Sequence, residues 1–252
     1  IKHIDGTGVL KSKSEISVLK GDKKQKIKAK KIIIATGGRP KEFPGIKYDG
    51  KRLITSKEAM TLKTIPKKLI IIGAGAIGVE FAYFYNEYGS EVHLIEMMSN
   101  ILPIEDEDLS KELETNFEKA GINIYKNSKV SKIQKLQKSV KVHINEGAAS
   151  KIIEADIVLV ATGVTGNIEG IGLEEVGIAV DKDKIIVNDF YETNIPGYYA
   201  IGDVTKGQAL AHVASAEGIV CVEKIAGKDV EPIDYNNIPG CTYCSPEIAS
   251  VG

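Results

Sequence analysis

The sequence predicts an α/β fold built on a parallel, doubly wound sheet, and three observations predict it. Leu69-Ile70-Ile71-Ile72 is a continuous apolar run without alternation, as a parallel strand covered on both faces requires. Gly73 stops that run abruptly, and Ile77 to Tyr88 reads as a helix closed by Gly89. The alternation of strand and helix then continues. Val92 to Ile95 is the next buried strand, and Leu109, Leu113, Phe117 and Ala120 form one apolar helical stripe. Glu105 to Asp108 occupy the first turn of that helix, Gly121 ends it, and Ile122 to Tyr125 is a strand again. Short parallel connections of this kind are right-handed crossovers.

The flanking segments follow a different rule. Val9-Leu10, Ile16 to Leu19 and Ile27 to Thr36 read as strands of an antiparallel meander, punctuated by Gly8, the Lys11 to Ser14 tract and Gly21-Asp22. The Lys-rich stretch Lys23 to Lys31 alternates through Ile27 and Ala29, so it reads as a solvated strand face and not as a nucleic-acid patch. From Gly37 to Pro66 the chain is irregular, and the breakers Pro40, Pro44-Gly45 and Gly50 put a domain crossing near Pro44 to Tyr48. Val130 to Leu136, Val140 to Ile144 and Ile152-Ile153, with the apolar Ile157 to Val160 after them, are assigned to a small antiparallel layer appended to the sheet. Beyond the glycine-dense Gly163 to Gly177, Ile185 to Val187 and Tyr198 to Ile201 are expected strands, and Ala209 to Ala226 an expected helix ended by Gly227.

Composition narrows the function. Thirty-three Lys and Arg against 34 Asp and Glu leave a net charge of -1, so neither a nucleic-acid face nor an acidic tail is written into the balance. The longest apolar stretch, Leu69 to Val79, is far short of the ~18 to 20 residues of a membrane-spanning helix. Three cysteines cannot all pair within one chain and no apolar leader opens it, so a cytoplasmic setting is expected. The chain starts at Ile1 and stops at Val251-Gly252 inside a strand-like run, which reads as a piece of a longer protein. Twenty-five glycines in 252 residues, about 10 % against the usual ~7 %, point to tight turns and close approach of backbone to ligand.

Gly73-Ala74-Gly75-Ala76-Ile77-Gly78 fits G-x-G-x-x-G. The pattern alone is weak; here it follows a buried strand, opens a helix, and is followed by Glu96 at the end of the second strand, close to the ~20 residues expected. The setting is that of a Rossmann-like dinucleotide domain. Gly73 permits the turn, Gly75 admits a pyrophosphate to the main chain, Gly78 lets helix and strand pack, and the helix N-terminus favours the negative charge. Glu96 can accept from both ribose hydroxyls of NAD and would repel the 2'-phosphate of NADP. With no Lys or Arg between Glu91 and Asn100, NAD is expected.

Thr193 to Asp203 reads Thr-Asn-Ile-Pro-Gly-Tyr-Tyr-Ala-Ile-Gly-Asp, a strand presenting a carboxylate at its C-terminal end. It resembles the second flavin signature of the pyridine nucleotide-disulfide oxidoreductases, and Ile32 to Pro40 resembles the segment joining that family's two dinucleotide domains. The likeness continues through Ser56 to Leu69, Gly172 to Gly177, Leu210-Ala211-His212 and Tyr235 to Gly252, and is strongest with the dihydrolipoyl-oxidising branch. The resemblance implies four parts: residues 1–45 as a partial FAD domain, 46–165 as the NAD domain inserted in it, 166–236 as the remainder of the FAD domain, and 237–252 as the start of an interface domain. It implies that Asp203 accepts a bond from the FAD ribitol, that Gly8 and Thr36-Gly37-Gly38 touch the same cofactor, and that Ala209, Leu210, Ala211 and His212 aim a helix N-terminus at the flavin. Beside the glycine motif it adds Val79, Glu80, Val130 as an adenine contact, and Gly163 to the NAD site.

By the same resemblance, dihydrolipoyl groups on an acyltransferase of a 2-oxo acid dehydrogenase complex pass electrons through a disulfide and FAD to NAD, in a homodimer. These residues hold neither the family's first flavin turn, nor Cys-x-x-x-x-Cys, nor the C-terminal His-Glu pair, so by themselves they are not expected to turn over a disulfide. Val164-Thr165-Gly166-Asn167 stands where the family has Arg-Arg-Pro, and Ala76 is smaller than the residue many relatives carry, leaving a more open path for nicotinamide. A mercuric or glutathione-type reductase and a non-catalytic NAD sensor are the alternatives; Glu96 speaks against NADP-preferring reductases, and the strand ending in Asp203 against a sensor. Cys241 and Cys244, bracketed by Pro239 and Pro246, read as ordinary thiols and not a redox or zinc half-site, and Cys221 as a core thiol.

Overall fold

The protein is described by a computed structural model, which covers residues 1–12, 14–43, 45–147 and 149–252. Lys13 of the expected turn tract and Pro44 of the expected crossing lie outside the described residues. The chain divides into two compact units, one of Ile1–Arg39 and Val164–Ile238, the other of Pro40–Gly163 and Pro239–Gly252.

In the second unit, five parallel strands are ordered Leu53–Ile54, Ile157–Val160, Lys68–Ile72, Glu91–Ile95, Asn123–Tyr125. The helices Ala76–Glu87 and Glu107–Lys119 cover one face. Successive side chains of a strand point to opposite faces. Leu69 and Ile71 accordingly join Val79, Ala82, Tyr85, Leu113 and Phe117 under the helices. Ile70 and Ile72 join Val140, Val142, Ile144 and Ile153 of an antiparallel sheet on the other face. That double cover is the physical reason for the unbroken apolar run, each fully buried isoleucine contributing about 1.5–3 kcal/mol.

The antiparallel layer consists of Ser128–Lys135, Val140–Glu146 and Ala149–Ala155, as expected. Ile157–Val160 does not belong to it. That strand is inserted in the parallel sheet, beside Lys68–Ile72, and its lack of alternation reflects burial on both faces. Leu53–Ile54, within the stretch expected to be irregular, is a parallel edge strand. The helical stripe is also narrower than expected, because Leu109 and Ala120 at its two ends are exposed. Pro239–Thr242 and Ile248–Val251 form an antiparallel hairpin, which sends Cys244 and Ile248 into the helix-side core.

The first unit holds an antiparallel sheet of Thr7–Ser12, Glu15–Lys20 and Lys23–Lys28, the last almost wholly exposed as its charge alternation implies. The single strand expected from Ile27 to Thr36 is divided. After Lys28 the chain leaves that sheet, and Ile32–Ile34 pairs in parallel with Tyr198–Ala200. The helix Ala211–Ile225 is the long helix of this unit, with Val213 and Cys221 on its buried stripe.

Candidate functional site

The strand Lys68–Ile72 delivers the chain into Gly73-Ala74-Gly75, and each glycine there has its own cause. Gly73 has φ +100°, and a Cβ at that residue would lie 2.5 Å from the carbonyl oxygen of Ala161. A Cβ at Gly78 would lie 1.9 Å from the carbonyl oxygen of Gly73 itself, so helix and loop are in direct contact there. Gly75, the helix N-cap, has nothing within 4 Å of where its Cβ would point. The open side of the loop is therefore at Gly75.

The first helical hydrogen bond runs from Val79 N–H to Gly75 O at 3.0 Å. The N–H groups of Gly75, Ala76, Ile77 and Gly78 precede it and carry the positive end of the helix dipole. Ala76 is exposed, Ile77 and Glu80 are half-buried, and Val79 is buried under the helix. Glu96 closes the next strand and is itself buried, with both carboxylate oxygens engaged. Its Oε2 accepts from Ala74 N–H at 2.7 Å and its Oε1 from Met98 N–H at 2.9 Å. An ionised carboxylate offers about four lone-pair sites, so acceptor capacity remains for two ribose hydroxyls. The open Gly75 face, the unbonded N–H groups and this acid fit a dinucleotide.

Val130 and Gly163 lie on segments that leave the same C-terminal edge of the sheet. Ser128 N–H donates to Glu96 O at 2.9 Å, starting the strand in which Val130 is half-buried. Gly163 follows Ile157–Val160, whose Val160 is in register with Ile72. Its Cβ position is open, and its carbonyl accepts from Lys41 N–H at 2.9 Å. Glu80 has a partner that the sequence did not disclose: its Oε1 accepts from Tyr243 N–H at 2.9 Å, tying the terminal hairpin to the helix.

In the other unit, the strand Tyr198–Ala200 ends in the turn Gly202–Val204 that carries Asp203. Among the described residues nothing donates to the Asp203 carboxylate, which leaves it available to a ligand hydroxyl. A Cβ at Gly38 would lie 3.1 Å from the Cβ of Asp203 and 2.6 Å from Val164 Cγ1, so Gly38 and Asp203 are neighbours. Asn167 braces the preceding turn: Thr36 Oγ1 donates to its carbonyl at 2.8 Å, and its own N–H donates to Gly37 O at 2.9 Å. Gly8 is carried by the antiparallel sheet, opposite Val18.

Ala209 precedes the helix, Leu210 is its N-cap, and Ala211 and His212 open it with no acidic residue in the first turn. His212 is exposed and not packed. The helix packs on the turn that carries Asp203, a Cβ at Gly202 lying 3.4 Å from the Cβ of Ala214, and a positive helix start with an unengaged acid on the adjoining turn fits a flavin nucleotide. Sequence reasoning passed over Glu217 in this helix, a carboxylate only 2 % exposed whose Oε2 accepts from Gly202 N–H at 2.6 Å.

All three cysteines are free, Cys221 and Cys244 buried and Cys241 exposed. Burial, reinforced by the nearby Glu80 charge, pushes the Cys244 thiol up to about 11, the opposite of what a redox thiolate needs. Among the described residues no group of three or more His, Cys, Asp or Glu could hold a metal ion, and no helix is long and apolar enough to cross a membrane.

The geometry agrees with what the sequence is similar to. The sequence model of the family described as pyridine nucleotide-disulphide oxidoreductase matches residues 1–218. A dihydrolipoyl dehydrogenase of Rhizobium etli is 46% identical over 227 residues, which are 89% of this chain and 47% of that protein. The mitochondrial dihydrolipoyl dehydrogenase of Pisum sativum is 41% identical over 257 residues, 100% of this chain and 51% of its own. Among solved structures, LpdA of Mycobacterium tuberculosis superposes with TM-score 0.88 at 30% identity, covering 99% of this chain and 54% of that one. The HOCl-induced flavoprotein disulfide reductase RclA of Escherichia coli gives TM-score 0.88 at 27% identity, over 99% of this chain and 56% of its own. The chain thus spans about half the length of the curated relatives it matches. The family uses FAD and NAD. With the match to its sequence model reaching from the first strands into the last long helix, the chain belongs to the pyridine nucleotide-disulphide oxidoreductases.

Proposed function

We propose that this chain supplies the NAD-binding domain, and part of the FAD-binding domain, of a dihydrolipoyl dehydrogenase. Residues 46–165 are the NAD domain, 1–45 and 166–236 belong to the FAD domain, and 237–252 begin an interface domain. The observation that carries the reading is the pairing of an open Gly75 face with a buried acid, Glu96, at the end of the next strand.

Gly73 and Ala74, whose N–H groups are bonded to Ile95 O and Glu96, shape the loop, and the N–H groups of Gly75, Ala76, Ile77 and Gly78 cradle the NAD diphosphate. Glu96 accepts from the adenosine ribose and Glu80, Val130 and Gly163 line the remainder of the cleft, while Val79, fully buried in the core, seats the helix on the sheet and does not reach the ligand. Gly8, Thr36, Gly37, Gly38, Asp203 and the Ala209, Leu210, Ala211, His212 segment hold FAD. When bound, FAD supplies the electron transfer that connects a dithiol to NAD. The work of these residues is orientation and electrostatics: Glu96 excludes a 2'-phosphate by like charge, and the helix beginning at Ala211 favours negative charge near its N-terminus.

In the whole protein the electrons come from dihydrolipoyl groups carried by the acyltransferase of a 2-oxo acid dehydrogenase complex, the enzyme is a homodimer, and it works in the cytoplasm. The dihydrolipoyl dehydrogenases among the relatives support the electron source, and three free thiols support a reducing compartment. Titration of the protein with NADH and NADPH, followed by nucleotide fluorescence, tests the nucleotide reading. NADH is expected to bind at least about tenfold more tightly, one unpaired charge or hydrogen bond being sufficient for that ratio. Absence of NADH uptake overturns it.

A further inference from the structure

Glu217 sits in the middle of the helix Ala211–Ile225, on the same buried stripe as Val213 and Cys221. A carboxylate there costs several kcal/mol in desolvation unless hydrogen bonds repay it. Both of its oxygens are engaged. Oε2 accepts from Gly202 N–H at 2.6 Å, and Oε1 accepts from the Tyr235 hydroxyl at 2.8 Å. Tyr235 in turn lies 3.1 Å, oxygen to oxygen, from the hydroxyl of buried Tyr191. Burial pushes the Tyr235 phenol up, so its proton stays in place and it remains a donor. The helix also packs directly on the turn, a Cβ at Gly202 lying 3.4 Å from the Cβ of Ala214.

Gly202 begins the turn that carries Asp203, and Ala211 begins the helix that carries Glu217. One side chain thus spans the two segments read above as holding FAD. We propose that Glu217 is a positioning residue of the flavin site: its buried carboxylate fixes the Asp203 turn against the Ala211 helix, so that both are preset for the same ligand. The inference rests on the FAD reading of Asp203 and the helix start. Its physical content is preorganisation, since a turn held in place before binding loses less freedom when FAD arrives. A helix of this apolar character could have been anchored by leucine; a charge-assisted bond to one main-chain N–H sets a direction as well as a distance.

The test uses the full-length flavoprotein, with FAD dissociation measured by flavin fluorescence and folding of the apoprotein by far-UV circular dichroism and its unfolding midpoint. Glu217→Met keeps the volume and removes both acceptors, and is expected to weaken FAD about ten- to a hundredfold in a folded apoprotein. Glu217→Gln keeps an acceptor for Gly202 N–H and is expected to stay within about threefold of wild type, since the neutral bond forfeits only part of that energy. A purely structural role would move affinity and unfolding midpoint together in each variant, whereas the positioning role lowers affinity with the apoprotein midpoint little changed. Native affinity in a folded Glu217→Met protein overturns the proposal, as does equal loss in the Met and Gln variants. If the Met variant does not fold, hydrogen exchange at Gly202 in the wild-type apoprotein decides. Protection like that of the Ala211–Ile225 helix is expected, and loop-like exchange overturns it. Asp203→Ala separates the two readings. If it leaves FAD affinity unchanged, the FAD reading fails; if it loosens FAD while Glu217→Met does not, only the positioning role fails.

Discussion

The main-chain N–H of Ala74 donates to Glu96 Oε2 across 2.7 Å, joining the glycine loop after one strand to the acid that closes the next. Glu96 therefore holds the loop as well as being the proposed acceptor for the ribose, and its replacement has two separable consequences.

Glu96→Arg is expected to loosen NADH by about tenfold or more and to tighten NADPH, because the like charge at the 2' position becomes an opposite one. It also leaves Ala74 N–H without its acceptor, lowering stability by about 1–3 kcal/mol. Paired nucleotide titrations and urea unfolding read the two effects independently; an unchanged NADH to NADPH ratio refutes the specificity role.

The two glycines of the loop should fail differently. Gly78→Ala puts a methyl 1.9 Å from Gly73 O and is expected to lower stability by about 1–3 kcal/mol through forced displacement of helix from loop. Gly75→Ala meets nothing within 4 Å and is expected to keep the wild-type unfolding midpoint while losing NADH affinity. Equal thermal loss in both variants would contradict this division.

Thiol chemistry should be confined to Cys241. Cys244 stays protonated below a pKa of about 11, and burial pushes the Cys221 thiol up as well. Alkylation at pH 8 of the native protein is expected to add one adduct, mapped by mass spectrometry to Cys241, with Cys221 and Cys244 reacting only upon unfolding.

Acid should weaken the Asp49 loop. Burial pushes that carboxyl up, yet the Lys135 ammonium and the N–H groups of Leu53, Arg52 and Lys51 outweigh it and hold the group well below the usual carboxylate range. A folded-state value below the unfolded one means the stabilisation is present above the unfolded value near 4 and is lost as pH falls beneath it. Asp49→Asn is expected to destabilise by about 1–2 kcal/mol at pH 7 and progressively less below pH 4, as measured by urea unfolding at several pH values.

Much of this was legible because burial on two faces leaves an unmistakable pattern: Leu69 and Ile71 serve one core, Ile70 and Ile72 the other. Leu53–Ile54 escaped notice because two residues carry no period, although Thr55 and Glu58 spell a capping box whose reciprocal bonds form, Thr55 N–H to Glu58 Oε2 at 2.9 Å. Ile157–Val160 reads with the alternating strands before it because a four-residue apolar run does not declare its partners. The candidate binding residues could be read where glycine or a strand end imposed them. Glu217 could not, since a glutamate inside a helix ordinarily means solvent; the signal was its spacing of four from both Val213 and Cys221. The Glu80 bond to Tyr243 joins residues far apart in sequence, and no local rule announces it.

The bond from Lys41 N–H to the carbonyl of Gly163 clasps the two ends of the inserted segment. The outer unit is assembled from stretches on either side of that insertion, so it must close a very long loop, Arg39 to Val164, before Ile32–Ile34 can meet Tyr198–Ala200. Once the insertion has collapsed, its clasped ends make that loop behave as a short one, and the entropy of closure falls accordingly. Loosening the clasp should therefore delay pairing of Ile32–Ile34 with Tyr198–Ala200 more than it lowers the stability of the finished protein.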